Sequence, residues 1–246
     1  MGKFNPKRLL VTGGSGLLGS ELRRLLPQAS YPSSREFNVT DYAQMRNFVK
    51  AGDYSVLLHA AAFVSPPEID KNPLKAVEVN IIGSALTTKL CMDRNLKLVY
   101  ISTDYVFRGD TGDYKEDDAL HPVNKYAWSK LGGECGLRLY DNSLIIRTTF
   151  GPNEFPFEKA FCDQWTSRES VREIAEKITL VLGWDITGVI HLGGKRKTVM
   201  DYAKSVSPGK ATQPLLRSEV PFAVPRDTSL STERYAELAG SRKENL

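Results

Sequence analysis

The sequence has few cysteines, no long apolar run and no large excess of charge of one sign. Its three cysteines, Cys91, Cys135 and Cys162, are far apart, so neither a disulfide framework nor a paired-cysteine metal site is available. This usage suits a reducing compartment, and we expect a cytoplasmic protein. The longest apolar stretch, Val56–Val64, is interrupted by His59 and is too short for a transmembrane helix, so we expect no membrane partner.

The charge distribution argues against nucleic acid as a partner. Lys and Arg number 33 and Asp and Glu 29, which gives a formal charge of +4. Residues 1–194 are balanced, and the excess lies in residues 195–246, which include Lys195-Arg196-Lys197. No aromatic residues are interleaved with these basic residues, so we interpret the tract as a solvated loop and expect no nucleic-acid binding.

The residue types that bind metal ions are dispersed. His59, His121 and His191 are far from one another in the sequence, so we expect no metal site. There is also no internal repeat and no low-complexity segment. A length of 246 residues therefore predicts one large domain, or one domain with a small appendage.

Strand-like and helix-like segments alternate over the first two thirds of the chain. Apolar runs predict strands at 7–12, 56–60, 98–102, 144–148 and 189–192. Apolar periodicity and capping residues predict helices at 16–26, 41–49, 72–93, 122–140 and 170–182. This alternation predicts right-handed βαβ crossovers and a parallel sheet covered on both faces, which is an α/β fold.

Two later segments are less periodic and richer in proline and charge. We interpret 150–170 and 195–246 as a smaller substrate-binding part, and 1–149 with 171–194 as the nucleotide-binding domain. In folds of this kind the ligand binds beyond the carboxyl ends of the strands.

A glycine-rich turn, TGGSGLLG at 12–19, joins the first predicted strand to the first predicted helix. Glycine permits a tight turn and the close approach of a pyrophosphate, which the helix N-terminus then stabilises. The position between a strand and a helix is the context that a dinucleotide site requires. We therefore predict cofactor contacts from Gly13, Ser15, Gly16, Leu17, Leu18 and Gly19.

The segment 29–35 bears on the choice of cofactor. It has no acidic residue where a partner for the ribose hydroxyls of NADH is expected, whereas Ser33, Ser34 and Arg35 are suited to a 2′-phosphate. This favours NADPH and leaves NADH as the alternative. The non-functional interpretation is a polar surface loop with Arg35 in solvent.

Two further motifs carry polar groups suited to acid–base chemistry. Tyr126 and Lys130 are four residues apart and share one face of a predicted helix. A neighbouring ammonium lowers the pKa of a phenol, which makes Tyr126 a candidate general acid or base. Thr103 ends a predicted strand, where its hydroxyl is suited to bind a carbonyl oxygen. Neither motif is specific by itself.

The three motifs occur in the order of a hydride-transfer site, and here the sequence resembles a known family. It is similar to the extended short-chain dehydrogenases/reductases, and among them to the dTDP-4-dehydrorhamnose reductases. The resemblance covers about residues 7–240 and is carried by TGGSGLLG (12–19), HAAAFVSPPEIDKNPLKAVEVN (59–80), STDYVFRGDTGDYKEDDALHPVNKYAWSKLGGE (102–134) and PRDTSLSTERY (225–235). It implies a doubly wound Rossmann-type sheet with a small C-terminal substrate-binding part.

The resemblance also implies roles for individual residues. Thr103, Tyr126 and Lys130 match the catalytic set. The further cofactor contacts that it implies are Ser34, Arg35, Asn38, Val39, Ala60, Ala61, Ala62, Asn80, Ser102, Tyr126 and Lys130. The alanines would pass beneath the cofactor, and Asn80 would be linked to the lysine through water. The implied substrate contacts are Val64, Thr103, Asp104, Tyr105, Phe150 and Arg226.

The sequence departs from the family pattern at several positions. Asn38 and Phe150 stand where aspartate and tryptophan are common. His59 replaces a common asparagine, and we expect it to be buried and satisfied by the backbone. After Gly151-Pro152 about twenty residues of the substrate lobe are missing, which predicts a smaller or more open sugar pocket.

We therefore expect an NADPH-dependent reductase of a nucleotide-linked 4-keto-6-deoxy sugar, with a homodimer as one option. One alternative is a nucleotide-sugar epimerase or dehydratase of the same superfamily, although Tyr105 replaces the glutamate that elimination would need. The other is a non-catalytic regulatory subunit, like that of methionine adenosyltransferase. The shortened lobe favours this alternative, and the intact Thr103, Tyr126 and Lys130 oppose it.

Overall fold

A computed structural model describes residues 4–243 of the chain. The backbone forms two compact units. Unit 1 comprises the chain up to Ser102, Asn124–Ile146 and Ala175–Gly188, and unit 2 comprises Thr103–Val123, Arg147–Ile174 and the chain from Val189 onward. The division of the sequence into a nucleotide-binding domain and a substrate-binding part stays a prediction.

The strands are β1 Leu9–Thr12, β2 Val56–His59, β3 Lys97–Thr103, β4 Ser143–Thr148, β5 Phe150–Gly151, β6 Lys159–Phe161, β7 Trp165–Thr166, β8 Glu169–Ser170, β9 Gly188–Leu192, β10 Lys197–Thr198 and β11 Gln213–Leu215. Five of them form a parallel central sheet in the order β1-β2-β3-β4-β9. Leu10 pairs with Leu57, which pairs with Leu98. This topology confirms the predicted Rossmann-type α/β fold.

The sheet differs from the predicted strands at two places. The first strand begins at Leu9 because Pro6–Arg8 forms a 3₁₀ turn, which is capped by the Asn5 side chain. Between the first two helices, over the described residues 26–41, the chain forms no strand and pairs with β1 only through a single parallel bridge, from Ser30 to Leu10. The other predicted strands are present within one or two residues of their predicted ends.

The helices are α1 Leu17–Leu25, α2 Tyr42–Lys50, α3 Pro66–Lys71, α4 Pro73–Ala76, α5 Gly83–Arg94, α6 Lys125–Leu137, α7 Val171–Leu182, α8 Val199–Val206 and α9 Glu233–Lys243. The predicted helix 122–140 is shorter, because the Asn124 side chain accepts a hydrogen bond from the Ala127 N–H and caps it. The predicted helix 72–93 contains a π-helical segment, Val77–Ile82, between α4 and α5. None of these helices is long and apolar enough to cross a bilayer.

Helices α3, α8 and α9 lie in segments where no helix was predicted. A capping box opens α8: the Thr198 side chain accepts from the Asp201 N–H, and the Asp201 carboxylate accepts from the Thr198 N–H. The motif Thr-Val-Met-Asp is visible in the sequence and is a recognised start of a helix. The buried face of α8, which includes Tyr202 and Ala203, packs with Phe155 and Ala160 into an apolar cluster of unit 2.

The edge of unit 1 that carries the candidate site begins at the turn between β1 and α1. All four residues of β1 and all four of β2 are buried, as expected for a sheet covered on both faces. Gly19 packs helix α1 directly against this turn, since a Cβ there would overlap the Gly13 carbonyl oxygen and lie 2.6 Å from Gly14 Cα.

We expect Gly19→Ala to destabilise the protein by about 2 kcal/mol or more, because backbone atoms would have to move. Gly136→Ala in α6 is the matched control, since its Cβ would lie 3.8 Å from the nearest atom, an ordinary contact. This control should stabilise the helix by roughly 0.5–1 kcal/mol. Urea denaturation measures both values, and equal effects of the two substitutions would contradict the packing argument.

Candidate active site

In unit 1, the turn after β1 lies in backbone contact with the segment after β2. Gly13 has a φ of +75°, which favours glycine, and a Cβ there would lie 2.7 Å from the Ala61 nitrogen and 2.8 Å from the Ala60 carbonyl carbon. The structure thus brings together the glycine turn and the alanines predicted to pass beneath a cofactor. Any side chain at Gly13 would overlap the backbone of Ala60 and Ala61.

The N-terminus of α1 is open to an anion. Gly16 is the N-cap and provides no side-chain hydrogen bond to the first turn. Ser15 and Leu17 are exposed, whereas Leu18 and Gly19 are buried in the packing of the helix. Backbone N–H groups at an uncapped N-terminus bind phosphate groups well. The cradle therefore fits the pyrophosphate of a dinucleotide.

The polar turn at 33–38 contains a carboxylate that the sequence analysis did not weigh. Glu36 accepts hydrogen bonds from the Ser33 N–H at 2.8 Å and from Ser33 Oγ at 2.7 Å. These bonds lower the pKa of the Glu36 carboxyl below its usual value. Ser34 and Arg35 are exposed beside it. An acidic residue one position beyond the searched segment was the signal that was overlooked.

The next residues of this turn are held by local hydrogen bonds. The Asn38 side chain accepts from the Thr40 N–H at 3.1 Å, and the Asn38 N–H donates to Gln44 Oε1 at 2.6 Å. Val39 is buried. The Asn38 side-chain oxygen therefore accepts a backbone hydrogen bond and stabilises the turn.

Ser102 presents an unused hydroxyl near the carboxyl end of β3. Its Oγ is buried and has no hydrogen-bond partner among residues 4–243. A buried hydroxyl without a partner costs free energy, which a bound polar ligand would recover. Together with the glycine cradle, this orphaned hydroxyl indicates that the residues present fit a dinucleotide cofactor.

Tyr126 and Lys130 both lie on α6. The Tyr126 carbonyl oxygen accepts from Ser129 Oγ at 2.7 Å, and the ring is partly exposed. Lys130 is buried, with Nζ 4.1 Å from the centroid of the Tyr100 ring. Burial lowers the pKa of Lys130 to about 7, and the nearby Glu134 carboxylate opposes this shift. The site thus contains an amine that titrates close to neutral pH.

Asn80 lies in the π-helical segment and anchors the loop after β2. Its Oδ1 accepts from the Phe63 N–H at 2.7 Å, and its Nδ2 donates to the Phe63 carbonyl and to Ser129 Oγ, both at 2.8 Å. The side-chain amide is therefore satisfied by protein groups. The implied link to Lys130 through water stays a prediction. π-Helical turns occur frequently at functional sites.

His59 is buried as expected, but the predicted backbone partners are wrong. Its Nδ1 lies 2.8 Å from Thr12 Oγ1, and its Nε2 lies 3.2 Å from Ser84 Oγ. Burial, with a further contribution from the Lys130 charge, lowers the pKa of His59 to about 3, so the ring is neutral at physiological pH. Two side-chain hydroxyls satisfy it because the β2 backbone is already used in the sheet.

In unit 2, the segment after β3 meets the Pro-Arg-Asp-Thr-Ser segment at 225–229. Thr228 Oγ1 donates to Asp104 Oδ2 at 2.6 Å, and Thr103 Oγ1 donates to Asp104 Oδ1 at 3.1 Å. Thr103 Oγ1 also accepts from the Tyr105 N–H at 3.3 Å. Burial raises the pKa of Asp104, and the hydrogen bond from Thr228 and the charge of Arg168 oppose that shift.

Two residues that the sequence analysis missed surround Tyr105. Gln164 Nε2 donates to the Tyr105 hydroxyl at 3.1 Å. The positive charge of Arg168 favours the ionised form of that phenol. Burial raises the pKa of Tyr105. Phe150, predicted to contact substrate, is half-buried in β5 and pairs with Glu169 of β8. No sequence motif distinguished Gln164 or Arg168 from the other polar residues of 150–170.

The basic tract at 195–197 is not a simple solvated loop. Arg196 donates to Asp227 Oδ2 from Nε at 2.8 Å and from Nη2 at 2.7 Å, and its guanidinium lies 3.9 Å from the centroid of the Trp165 ring. Asp227 is fully buried and also accepts from the Ser229 N–H and Oγ. Arg196 therefore neutralises a buried carboxylate.

Arg226 is exposed and faces a shallow cleft of unit 2. The cleft has a volume of about 350 Å³, and its lining includes Arg108 and Arg217. Arg108 pairs with Asp110 at 3.2 Å, and Arg217 pairs with Asp163 at 3.3 Å. Val64, the remaining predicted substrate contact, is exposed in unit 1. Across residues 4–243 no cluster of ligating side chains is suited to a metal ion.

Comparison with known proteins identifies the family. Residues 7–180 match the model of the RmlD substrate binding domain. The chain belongs to this family. The match confirms the resemblance to dTDP-4-dehydrorhamnose reductases that the motifs indicated.

The relatives of this chain differ in how much of their length they share with it. The dTDP-4-dehydrorhamnose reductase of Aggregatibacter actinomycetemcomitans is 32% identical over 180 residues, which cover 70% of this chain and 61% of that protein. This RmlD-family chain thus spans less than two thirds of that relative. Methionine adenosyltransferase 2 subunit beta of Bos taurus is 25% identical over 94% of this chain and 82% of its own.

A solved structure supports the fold of this RmlD-family chain. The crystal structure of a hypothetical dTDP-4-dehydrorhamnose reductase from Sulfolobus tokodaii superposes with a TM-score of 0.81 at 31% identity. The superposition covers 94% of each chain. The fold is therefore shared over nearly the whole length.

The burial of Lys130 predicts a pH dependence of stability. The pKa is about 7 in the folded protein and about 10.5 when exposed, so the unfolded chain binds more protons between these values. The free energy of unfolding should rise with pH across this window. Lys130→Met should be more stable than wild type at pH 7 by about 4 kcal/mol, with almost no difference left near pH 10.5.

Urea denaturation at pH 7 and pH 10 measures this difference. Lys125→Met is the matched control, because Lys125 lies on the same helix with an exposed ammonium paired to Asp70 at 3.2 Å. It should change stability little at either pH. Parallel stability profiles for wild type and Lys130→Met would contradict the buried-amine interpretation.

Proposed function

We propose that this protein is an NADPH-dependent oxidoreductase that reduces the keto group of a nucleotide-linked 4-keto-6-deoxy sugar in the cytoplasm. The observation that carries the proposal is the combination, in a member of the RmlD family, of the glycine cradle with Tyr126 and a buried Lys130 on α6. The named relatives include a dTDP-4-dehydrorhamnose reductase, which supports this class of substrate.

The cofactor would be held by groups of unit 1. The N–H groups of the first turn of α1 would bind the pyrophosphate, and Gly13, Ala60 and Ala61 would allow its close approach. Ser102 Oγ would gain the partner that it lacks. Arg35 and Ser34 would bind the 2′-phosphate of NADPH, while Glu36 would favour the hydroxyls of NADH.

Reduction of a ketone requires a hydride and a proton. When bound, the nicotinamide would supply the hydride to the carbonyl carbon. Tyr126 would donate its phenolic proton to the carbonyl oxygen, on which negative charge develops. Lys130 in its ammonium form would favour the phenolate that remains and would donate to ribose hydroxyls. Thr103 would orient the carbonyl group by a hydrogen bond.

The nucleotide half of the substrate would bind through arginine. Arg226, with Arg108 and Arg217, lines a cleft of unit 2 and is suited to a diphosphate, because a guanidinium binds phosphate oxygens in pairs. The roughly twenty residues by which this chain is shorter than the family pattern would leave the sugar less enclosed. Phe150 and Val64 would provide apolar contacts to it.

A non-catalytic subunit is the second candidate function. The long alignment with methionine adenosyltransferase 2 subunit beta, over 94% of this chain, favours it. In that case the cofactor cradle would serve binding alone, and a complex with an enzyme partner would be the functional form. Turnover of a nucleotide-linked keto sugar by the isolated protein distinguishes the two candidates.

We expect oxidation of NADPH when a dTDP-linked 4-keto-6-deoxy sugar is added, and Tyr126→Phe should reduce kcat by about 10²- to 10⁴-fold. Tyr140→Phe is the matched control, because that hydroxyl donates to the Leu96 carbonyl, a structural contact. Absorbance of NADPH measures the rate. Turnover by Tyr126→Phe at the wild-type rate would contradict this mechanism, and no turnover by wild type would favour the second candidate.

The cofactor preference is tested at Arg35. Arg35→Ala should weaken NADPH binding by about tenfold or more and leave NADH binding unchanged, since only NADPH carries the 2′-phosphate. Arg46→Ala on α2, another exposed arginine, is the control. Fluorescence titration gives both dissociation constants. An equal loss of affinity for the two cofactors would contradict the assignment of Arg35.

A further inference from the structure

A continuous series of buried polar groups crosses unit 1. The Ala61 N–H donates to Thr12 Oγ1 at 3.2 Å, and Thr12 Oγ1 lies 2.8 Å from His59 Nδ1. His59 Nε2 lies 3.2 Å from Ser84 Oγ. Thr12, His59 and Ser84 come from β1, β2 and α5 and are all at most 3% exposed. The series begins in the segment that contacts the glycine turn.

The series continues through Tyr100 to the helix of the candidate catalytic residues. Ser84 is a hydrogen-bonding neighbour of the Tyr100 side chain that opposes the rise which burial causes in the Tyr100 pKa. The Tyr100 hydroxyl donates to the Lys130 carbonyl oxygen at 3.3 Å. Tyr100 is fully buried in β3. Six protein segments are therefore joined by side chains, from the loop after β2 to the turn of α6 that carries Lys130.

Chemistry determines the direction of every hydrogen bond in this series. A carbonyl oxygen only accepts, so the Tyr100 proton points to Lys130 and Tyr100 accepts from Ser84. Ser84 must then accept from His59 Nε2–H. The His59 Nδ1 consequently accepts from Thr12, whose oxygen accepts from the Ala61 N–H. The arrangement requires a neutral histidine that is protonated on Nε2. With that tautomer, every hydrogen bond of the series pairs one donor with one acceptor.

Tyr100 contacts Lys130 in two ways. Its hydroxyl binds the Lys130 backbone, and the face of its ring lies 4.1 Å from Lys130 Nζ, where the ring quadrupole attracts an ammonium. Gly133, one turn of α6 further on, leaves room for the hydroxyl, because a Cβ there would overlap it and lie 2.9 Å from the Asn80 carbonyl oxygen. The backbone of α6 is thus fitted to Tyr100.

We propose that Thr12, His59, Ser84 and Tyr100 form a positioning network that fixes Lys130 with respect to the loop at Ala61. A shift of Ala61 or of α6 would leave a buried polar group without a partner, so the network holds both at one separation. Because Lys130 is the residue that would bind the cofactor ribose, the consequence for cofactor binding rests on the proposed function.

The test uses Tyr100→Phe, which removes the hydroxyl and keeps the ring. Tyr140→Phe is the matched control, since its hydroxyl donates to the Leu96 carbonyl at 2.8 Å and takes no part in the network. The first readout needs no cofactor. The free energy of unfolding is measured at pH 7 and at pH 10 for each protein, and the increase between the two is compared with the increase in Lys130→Met. The excess over Lys130→Met comes from the Lys130 amine and reports how tightly that amine is enclosed.

We expect Tyr100→Phe to reduce that excess to about half or less, because α6 loosens and water reaches the amine. Tyr140→Phe should keep the full excess. With NADPH as the probe, Tyr100→Phe should raise Kd about tenfold and the KM for NADPH similarly, whereas Tyr140→Phe should change neither. Ser84→Ala, which interrupts the network one step earlier, should act in the same direction and serves if Tyr100→Phe does not fold.

Two outcomes would overturn the proposal. One is an unchanged pH dependence of stability in both Tyr100→Phe and Ser84→Ala. The other is an equal loss of NADPH affinity in Tyr100→Phe and Tyr140→Phe, which would indicate general destabilisation. Failure of wild type to reduce any nucleotide-linked keto sugar would contradict the proposed function alone, since the cofactor-free readout does not depend on turnover.

Discussion

The enclosure of the Lys130 amine is the constraint on which the candidate site depends. Burial disfavours the ammonium, and the Tyr100 ring and the Glu134 carboxylate compensate part of that cost. An amine held in this way is sensitive to small displacements of its helix. The contacts of α6 with its surroundings therefore decide whether Lys130 is an ordinary lysine or one that titrates near neutral pH.

The buried carboxylates of unit 2 are likewise stabilised by neighbouring groups that compensate the cost of burial. Asp104 and Asp227 are almost fully buried, and each is surrounded by donors: Thr103 and Thr228 for the first, and Arg196 and backbone or side-chain groups of the 227–229 segment for the second. A buried charge persists only when hydrogen bonds replace its hydration. In the Pro-Arg-Asp-Thr-Ser segment, Asp227 and Thr228 therefore have structural roles, whereas Arg226 is exposed.

Local elements followed closely from local chemistry. The Asp41 and Asn72 side chains cap helices that the sequence analysis began at those residues, and the glycine spacing at 13, 16 and 19 predicted the turn before α1. Where the prediction was too long, as at 122–140, the Asn124 side chain caps the helix and fixes its start. The unpredicted α8 also begins with a capping box, a local signal that the sequence analysis did not use.

The amino-acid order by itself determined the strand–helix alternation, the glycine cradle and the placement of Tyr126 and Lys130 on one helix, because each depends on residues within a few positions of one another. Only the tertiary structure decided that His59 lies between Thr12 and Ser84, and that Asp104 meets Thr228, 124 residues away. Such pairings depend on which elements pack together. A polar side chain carries no mark in the sequence of the partner that will satisfy it once both are removed from water.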